Sequence, residues 1–290
     1  REAQNFPHRS VPSLLCSVYD SIRLMARTEI LTSRANPLLK DVRRAVARGD
    51  LTHDGYCVAE GFHLLEEALR SECELKAVLA AAPVRAAVES QVRGRDLRVV
   101  VLEDGLFQTV SATETTQGVL TLVRPPAWRL DQLFRDPTLV VVLDGVQDPG
   151  NAGAIVRAAE AFGASGAMFL KGTVNPYNPK TVRASAGSLF RLPLVSGLDE
   201  TTALAALQQR RLDIYAAMPR GKRDLQECDL TRPCAFIIGN EGRGIGERLR
   251  SAALDLRIPV TGVESLNAAM AAGILLYEAR RQRTPGSAVM

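Results

Sequence analysis

Three stretches in the second half of the chain place glycine and asparagine where an apolar run gives way to a small-residue helix pattern. They are "DPGNAGAIVR" (Asp148–Arg157), "IIGNEGRGIGE" (Ile237–Glu247) and "IPVTGVESLNAAM" (Ile258–Met270). In a parallel sheet such corners lie at the carboxyl ends of the strands, where open α/β proteins bind their ligands. Glycines let the backbone come close to a ligand and take positive φ, and the free amides that begin each helix can donate to it. The chemistry on offer is therefore a ligand held largely by main-chain groups. A dinucleotide fits poorly, because "GNAG" lacks the G-x-G-x-x-G spacing and Lys171 stands where a ribose-binding acid is wanted. No G-x-x-x-x-G-K-[ST] occurs either, which disfavours a P-loop ATPase. One such corner alone is explained by chain reversal; three with the same grammar are not. Arg157 follows the first corner, on the helix side it shares with Ala154 and Ala161. As a plain surface arginine it would pair with Glu160 at i+3.

The elements that must position these corners alternate. "TLVVVLDGV" is a continuous apolar strand of the kind buried on both faces of a parallel sheet. "GAMFLKG", "DIYAAM", "CAFIIGN" and "LDLRIPV" read as further strands, with helices at "ETTALAALQQRR", "GIGERLRSA" and "SLNAAMAAGILLYEARRQR". Five to six strands with helices between them predict a parallel, doubly covered α/β sheet over residues 137–284. Residues 28–123 predict a smaller α/β unit. Its first helix, in "SRANPLLKDVRRAVAR", carries Leu38, Leu39, Val42 and Val46 on one face, and "FHLLEEALRS" turns Leu64, Leu65, Ala68 and Leu69 inward. "RPPAWRLDQLFRDP" (Arg124–Pro137) reads as a linker with bounds 124–136, since paired prolines block both helix and ladder. Residues 1–27 read as an extension outside the core, without the long apolar centre of a signal peptide, and residues 285–290 as a loose tail.

Composition sets the class. The 290 residues are 46% hydrophobic and 23% charged, ample for a core, with no apolar run long enough for a bilayer span. The net charge of +4 is mild but clustered, in "KDVRRAVAR", "RGRDLR", "PRGKR" and "EARRQR". Each cluster alone is a solvated face; four together point toward a nucleic acid. Five cysteines (Cys16, Cys57, Cys73, Cys228, Cys234) without C-x-x-C spacing, and three histidines, predict reduced thiols in a cytoplasmic protein and no metal site.

Taken in order and spacing, the corners resemble the three motifs of the SpoU/TrmH family of RNA ribose 2′-O-methyltransferases, within the SPOUT superfamily. Asn151-Ala152-Gly153 with Arg157 is similar to the first motif, "IIGNEGRGI" to the second and "IPVTGVESLNAAMAAGILLYE" to the third. The resemblance covers Leu139 to Arg283, and "ILTSRANPLLK" and "QGVLTLVRPP" resemble the borders of the family's ribosomal-protein-like substrate-binding domain. It implies a catalytic sheet with a trefoil knot, S-adenosylmethionine as methyl donor, an obligate homodimer and an RNA substrate, ribosomal before transfer RNA. One position departs: Ala269 stands where the family usually carries a small hydroxyl residue.

The resemblance also implies residue roles. Gly239, Ile258 and Leu266 would contact the cofactor, with Asn240, Gly242 and Ser265 around them. Arg157 would engage the target 2′-hydroxyl and its phosphate at the partner subunit's cofactor. Because a guanidinium rarely gives up its proton, orientation of the hydroxyl and stabilisation of its developing anion suit Arg157 better than general-base work. Asn151 and Glu241 would brace Arg157, with a Glu241–Arg157 pair expected. Ser265 would cap the last helix, and Asn267 would lie in its first turn. Arg34, Asn36, Lys40, Lys180, Arg183 and Ser185 would grip RNA phosphates. Two other readings stand beside this one: a non-catalytic RNA-binding protein of the same fold, and a nucleotide-cofactor oxidoreductase.

Overall fold

The computed structural model describes residues 27–284, which form two sheets. The expected extension and tail otherwise lie outside the described residues, except that Arg27 already stands in a strand. The front half runs β1 (Arg27–Leu31), α1 (Pro37–Arg48), β2 (Cys57–Glu60), α2 (Phe62–Arg70), β3 (Leu75–Ala81), α3 (Arg85–Gln91), β4 (Arg98–Leu102), α4 (Asp104–Gln108) and β5 (Val119–Val123). Its sheet has the order β1-β4-β3-β5-β2, with β5 antiparallel to both of its neighbours. The buried faces of α1 and α2 carry Leu39 and Val42, and Leu64, Leu65, Ala68 and Leu69.

The second half runs β6 (Leu139–Asp144), α5 (Pro149–Ala161), β7 (Gly166–Leu170), α6 (Pro179–Ala184), β8 (Leu194–Leu198), α7 (Glu200–Gln209), β9 (Asp213–Ala217), β10 (Arg223–Asp224), β11 (Cys234–Gly239), α8 (Glu247–Ser251), β12 (Leu254–Arg257) and α9 (Ala268–Arg283). All seven strands are parallel, in the order β10-β12-β9-β11-β6-β7-β8. Alternation along β6 explains its unbroken apolar sequence. Leu139, Val141 and Leu143 face one core with Ile155 and Val156 of α5 and Leu275 and Leu276 of α9. Val140 and Val142 face the other, with Leu204 and Leu207 of α7 and Leu249 of α8. A strand covered on both sides has no polar face to show.

The stretch expected as a linker is partly core. Leu133 is fully buried in a short 3-10 turn (Leu130–Leu133), and its side chain sits where a Cβ on Gly166 would fall, at 2.5 Å. Nor are the two halves beads on a string. The front edge strand β2 is buried along its length, and Cys57, Ala59, Leu64 and Ala68 share one apolar cluster with Val182, Leu189 and Phe190 of the second half. Covering an edge strand removes a row of exposed ladder groups. Arg191 bridges the halves, reaching Glu67 at 2.5 Å and Glu160 at 2.6 Å. Among the described residues no helix is long and apolar enough to cross a membrane.

Candidate active site

The first corner proves to be helix rather than loop. Asp148 is the N-cap of α5, accepting from the Asn151 amide at 2.7 Å, and Pro149 occupies the first turn, where its missing N–H costs nothing. Arg157 therefore stands about two turns into the helix. Gly153 serves packing. A Cβ on Gly153 would meet the Thr181 carbonyl oxygen at 2.4 Å and Ala184 at 2.6 Å, so Gly153 lets α5 and α6 touch.

The second corner is a tight loop closed on itself. Asn240 and Gly244 exchange backbone hydrogen bonds at 3.0 and 2.9 Å, and Gly244 takes φ +74°. The Asn240 side chain fixes the interior. Its Oδ1 accepts from the amides of Gly242 (2.9 Å) and Arg243 (2.8 Å), and its Nδ2 donates to the Gly145 carbonyl (2.7 Å). That side chain is committed to holding the loop and tying it to the first corner. Gly239 is required, since a Cβ there would lie 2.6 Å from the Gly244 carbonyl carbon.

At the third corner the expected cap is corrected. Asn267, not Ser265, caps α9, accepting through Oδ1 from the amides of Ala269 (2.9 Å) and Met270 (3.2 Å). The helix starts at Ala268, three residues beyond Ser265, which is too far along for Ser265 to reach its first free amides. The amide at position 269 thus has a partner already.

The three corners are joined by one line of side chains. Asn151 Nδ2 donates to Glu241 Oε1 at 2.9 Å, and Asn267 Nδ2 donates to Asn151 Oδ1 at 2.9 Å. Orientation follows from chemistry: a carboxylate only accepts, so Asn151 must turn its amide nitrogen to Glu241 and its oxygen to Asn267. The line ends on the amides that open α9. Its charge therefore sits at the Glu241 end, in the glycine loop.

Beside this line lies a cavity of about 530 Å³, within the range of small-molecule sites. Gly239, Asn240, Gly242, Ile258, Ser265 and Leu266 all line it, as do Glu241 and Asn267. Met218 and Pro219, after β9, form a wall that the sequence reading missed. The signal was present in "AAMPRGKR", a strand followed by Pro and Gly, but it lacks the small-residue helix of the other corners. Among the described residues no cluster of His, Cys, Asp and Glu suits a metal ion.

Arg157 stands apart. It is exposed, and among the described residues no hydrogen bond or ion pair engages its side chain. Neither expected pairing forms. Glu160 is taken by Arg191 (2.6 and 3.1 Å), and Glu241 by Asn151, about 9 Å of helix rise before Arg157. Burial pushes the Glu160 carboxyl up, but hydrogen bonds from Arg191 and Ser188 outweigh it and hold it below its ordinary value.

The expected RNA contacts divide. Lys180 and Arg183 are exposed on α6, Lys40 is exposed on α1, and Arg34 is exposed just before it. Asn36 caps α1, accepting from the Leu38 amide at 2.9 Å. Ser185 is fully buried, its hydroxyl spent on the Val182 carbonyl at 2.7 Å, and cannot meet a phosphate.

A parallel sheet with three interlocked corners around one cavity defines a class of ligand-binding α/β protein, and comparison with known proteins narrows it. Residues 138–277 match the SpoU rRNA Methylase family, and residues 36–121 the MRM3-like substrate binding domain. An uncharacterized tRNA/rRNA methyltransferase of Synechocystis is 32% identical, with 88% of this chain and 96% of that protein aligned. The 23S rRNA (guanosine(2553)-2′-O)-methyltransferase RlmP of Bacillus subtilis is 31% identical over 86% of this chain and 98% of its own. An AdoMet-bound rRNA methyltransferase from Sinorhizobium meliloti superposes with a TM-score of 0.75 at 30% identity, covering 88% of this chain and 98% of that one. The chain belongs to the SpoU rRNA methylase family.

Proposed function

We propose that this protein transfers a methyl group from S-adenosylmethionine to a ribose 2′-hydroxyl of ribosomal RNA, with 23S rRNA as the substrate, in the cytoplasm. The observation that carries the reading is the Glu241–Asn151–Asn267 line, which locks three corners around one cavity. The residues present suit the donor. Met218, Ile238, Ile258 and Leu275 offer apolar wall, backbone of the glycine loop offers polar groups, and the carboxylates of Glu241 and Glu264 offer negative charge near a sulfonium. When bound, the donor supplies an electrophilic methyl group.

This chain's own residues then have three tasks. Glu241, Asn151 and Asn267 keep the loops in register and act as positioning residues. Arg157 engages the ribose hydroxyl, turns it for in-line attack and stabilises the charge that develops as its proton leaves; water or phosphate takes that proton. We infer a homodimer in which Arg157 serves the partner's cavity. Its lack of a partner among the described residues supports this, as do the exposed Met270 (58%) and Tyr277 (54%), seven residues apart on α9. In this reading the segment from β12 to α9 threads as the family's trefoil knot, and Arg34, Lys40, Lys180 and Arg183 meet RNA phosphates.

The test is a tritiated-methyl assay with purified protein and bulk ribosomal RNA from cells lacking it, followed by mapping of 2′-O-methyl nucleotides. A methylated ribose is expected. Donor binding without any transfer to ribosomal or transfer RNA would instead favour a non-catalytic RNA-binding protein.

A further inference from the structure

One basic cluster of the sequence has found no use in the site: "PRGKR", Pro219 to Arg223. It leaves the cavity wall at Pro219 and runs into β10, the edge strand paired with β12. Its backbone is seated firmly. A Cβ on Gly221 would fall 2.7 Å from the Leu256 carbonyl carbon and 2.8 Å from the Arg257 nitrogen, so the loop presses directly onto β12. Arg220 and Lys222 flank that point and are exposed.

The charge around this loop is uneven. Neighbouring cations are neutralised, Arg250 by Asp255 at 3.0 Å and Arg257 by Asp224. Glu227 turns back to the Asp224 amide at 3.3 Å. The side chains of Arg220, Lys222 and Arg223 have no hydrogen-bond or ion-pair partner among the described residues. Lys222 and Arg223 line an open cleft of about 570 Å³ between the edge strands and α8, with Glu247 as its one uncompensated carboxylate. Three cations on a fixed backbone, one step from the proposed methyl-donor cavity, suit a chain of phosphodiesters.

We propose that this cleft holds the RNA backbone next to the target nucleotide, with Lys222 and Arg223 facing phosphates in the cleft and Arg220 facing one outside it, beside Pro219 of the cavity wall; the proposal rests on the methyltransferase reading above. The cleft shares no lining residue with the front-domain and α6 cations, so it adds a further grip on the substrate strand. Such contacts add affinity without reading sequence.

The experiment compares the parent with Lys222→Gln/Arg223→Gln, using transcribed 23S rRNA in filter binding over a range of KCl concentrations. Each lost single-strand phosphate contact shortens the slope of log K against log salt by about 0.7, so the slope should become shallower by about 1.4. At 0.15 M salt that corresponds to binding weakened on the order of tenfold. Donor affinity by calorimetry should not change. Arg210→Gln/Arg211→Gln, at the opposite end of β9, removes the same charge and should bind as the parent does. A parent that binds the donor and methylates rRNA, with an unchanged slope in the cleft variant, overturns the cleft proposal alone. A parent that does neither overturns the methyltransferase reading and the cleft with it.

Discussion

The side-chain amide of Asn151 donates to the Glu241 carboxylate at 2.9 Å, joining the first turn of α5 to the loop after β11 across 90 residues of sequence. A hydrogen bond to a charged acceptor is about twice as strong as a neutral one, and this one also dictates which way Asn151 and, through it, Asn267 must point. The site's order thus depends on a single negative charge.

Glu241→Gln keeps one acceptor oxygen but removes the charge and allows the Asn151 amide to turn over. Loss of one charge-assisted bond, worth about 1.5–3 kcal/mol, should lower kcat by roughly ten- to a hundredfold and weaken donor binding, with the fold retained. Steady-state kinetics and calorimetry read both. An unchanged kcat would remove the polar line from the mechanism.

Arg157→Lys keeps the positive charge but not the planar fork that can hold a hydroxyl and a phosphate together. RNA affinity should change little, while turnover falls by about a hundredfold or more, the scale of losing one transition-state donor. Single-turnover methylation beside filter binding separates the two effects.

Gly153→Ala places a methyl group 2.4 Å from the Thr181 carbonyl oxygen and 2.6 Å from the Ala184 methyl. Neither neighbour is the movable end of a long side chain, so α5 and α6 must separate. Overpacking of this kind costs about 1–3 kcal/mol. In calorimetry the Tm should fall by roughly 3–10 °C. An unshifted Tm would show that the two helices part freely.

Arg191→Ala should loosen the junction between the halves. Hydrogen bonds from Arg191 and Ser188 hold the Glu160 carboxyl below its ordinary 4.5 in the folded protein. A lowered carboxyl contributes stability that is present above its unfolded value and lost as pH falls through the folded one. The partly exposed triad limits the loss to about 1 kcal/mol at pH 7. Urea titrations at pH 7 and below pH 4 should show the gap between parent and variant closing in acid; a constant gap would assign Arg191 to packing alone.

How much of this was legible beforehand varies by element. The strand in "LVVVLD" and the inward faces of α1 and α2 could be read from the chain, because apolar period reports burial directly. The three corners could be found because glycine, asparagine and proline are local punctuation, and all six expected cofactor contacts line one cavity. Contacts that cross the molecule could not be found this way. Ser185 looks in sequence like a loop hydroxyl, but is buried at the end of α6 where that helix meets Gly153 of α5. Leu133 looks like linker until Gly166 is packed against it. Glu241 pairs with Asn151 rather than Arg157, since about 9 Å of helix separates those residues and only the folded loops fix which one the carboxylate reaches. Sequence determined which residue types gather at one rim of a covered sheet, because local propensity and burial period are properties of neighbours along the chain. Tertiary structure decided which of them touch, because hydrogen-bond partners 90 or more residues apart are chosen by packing.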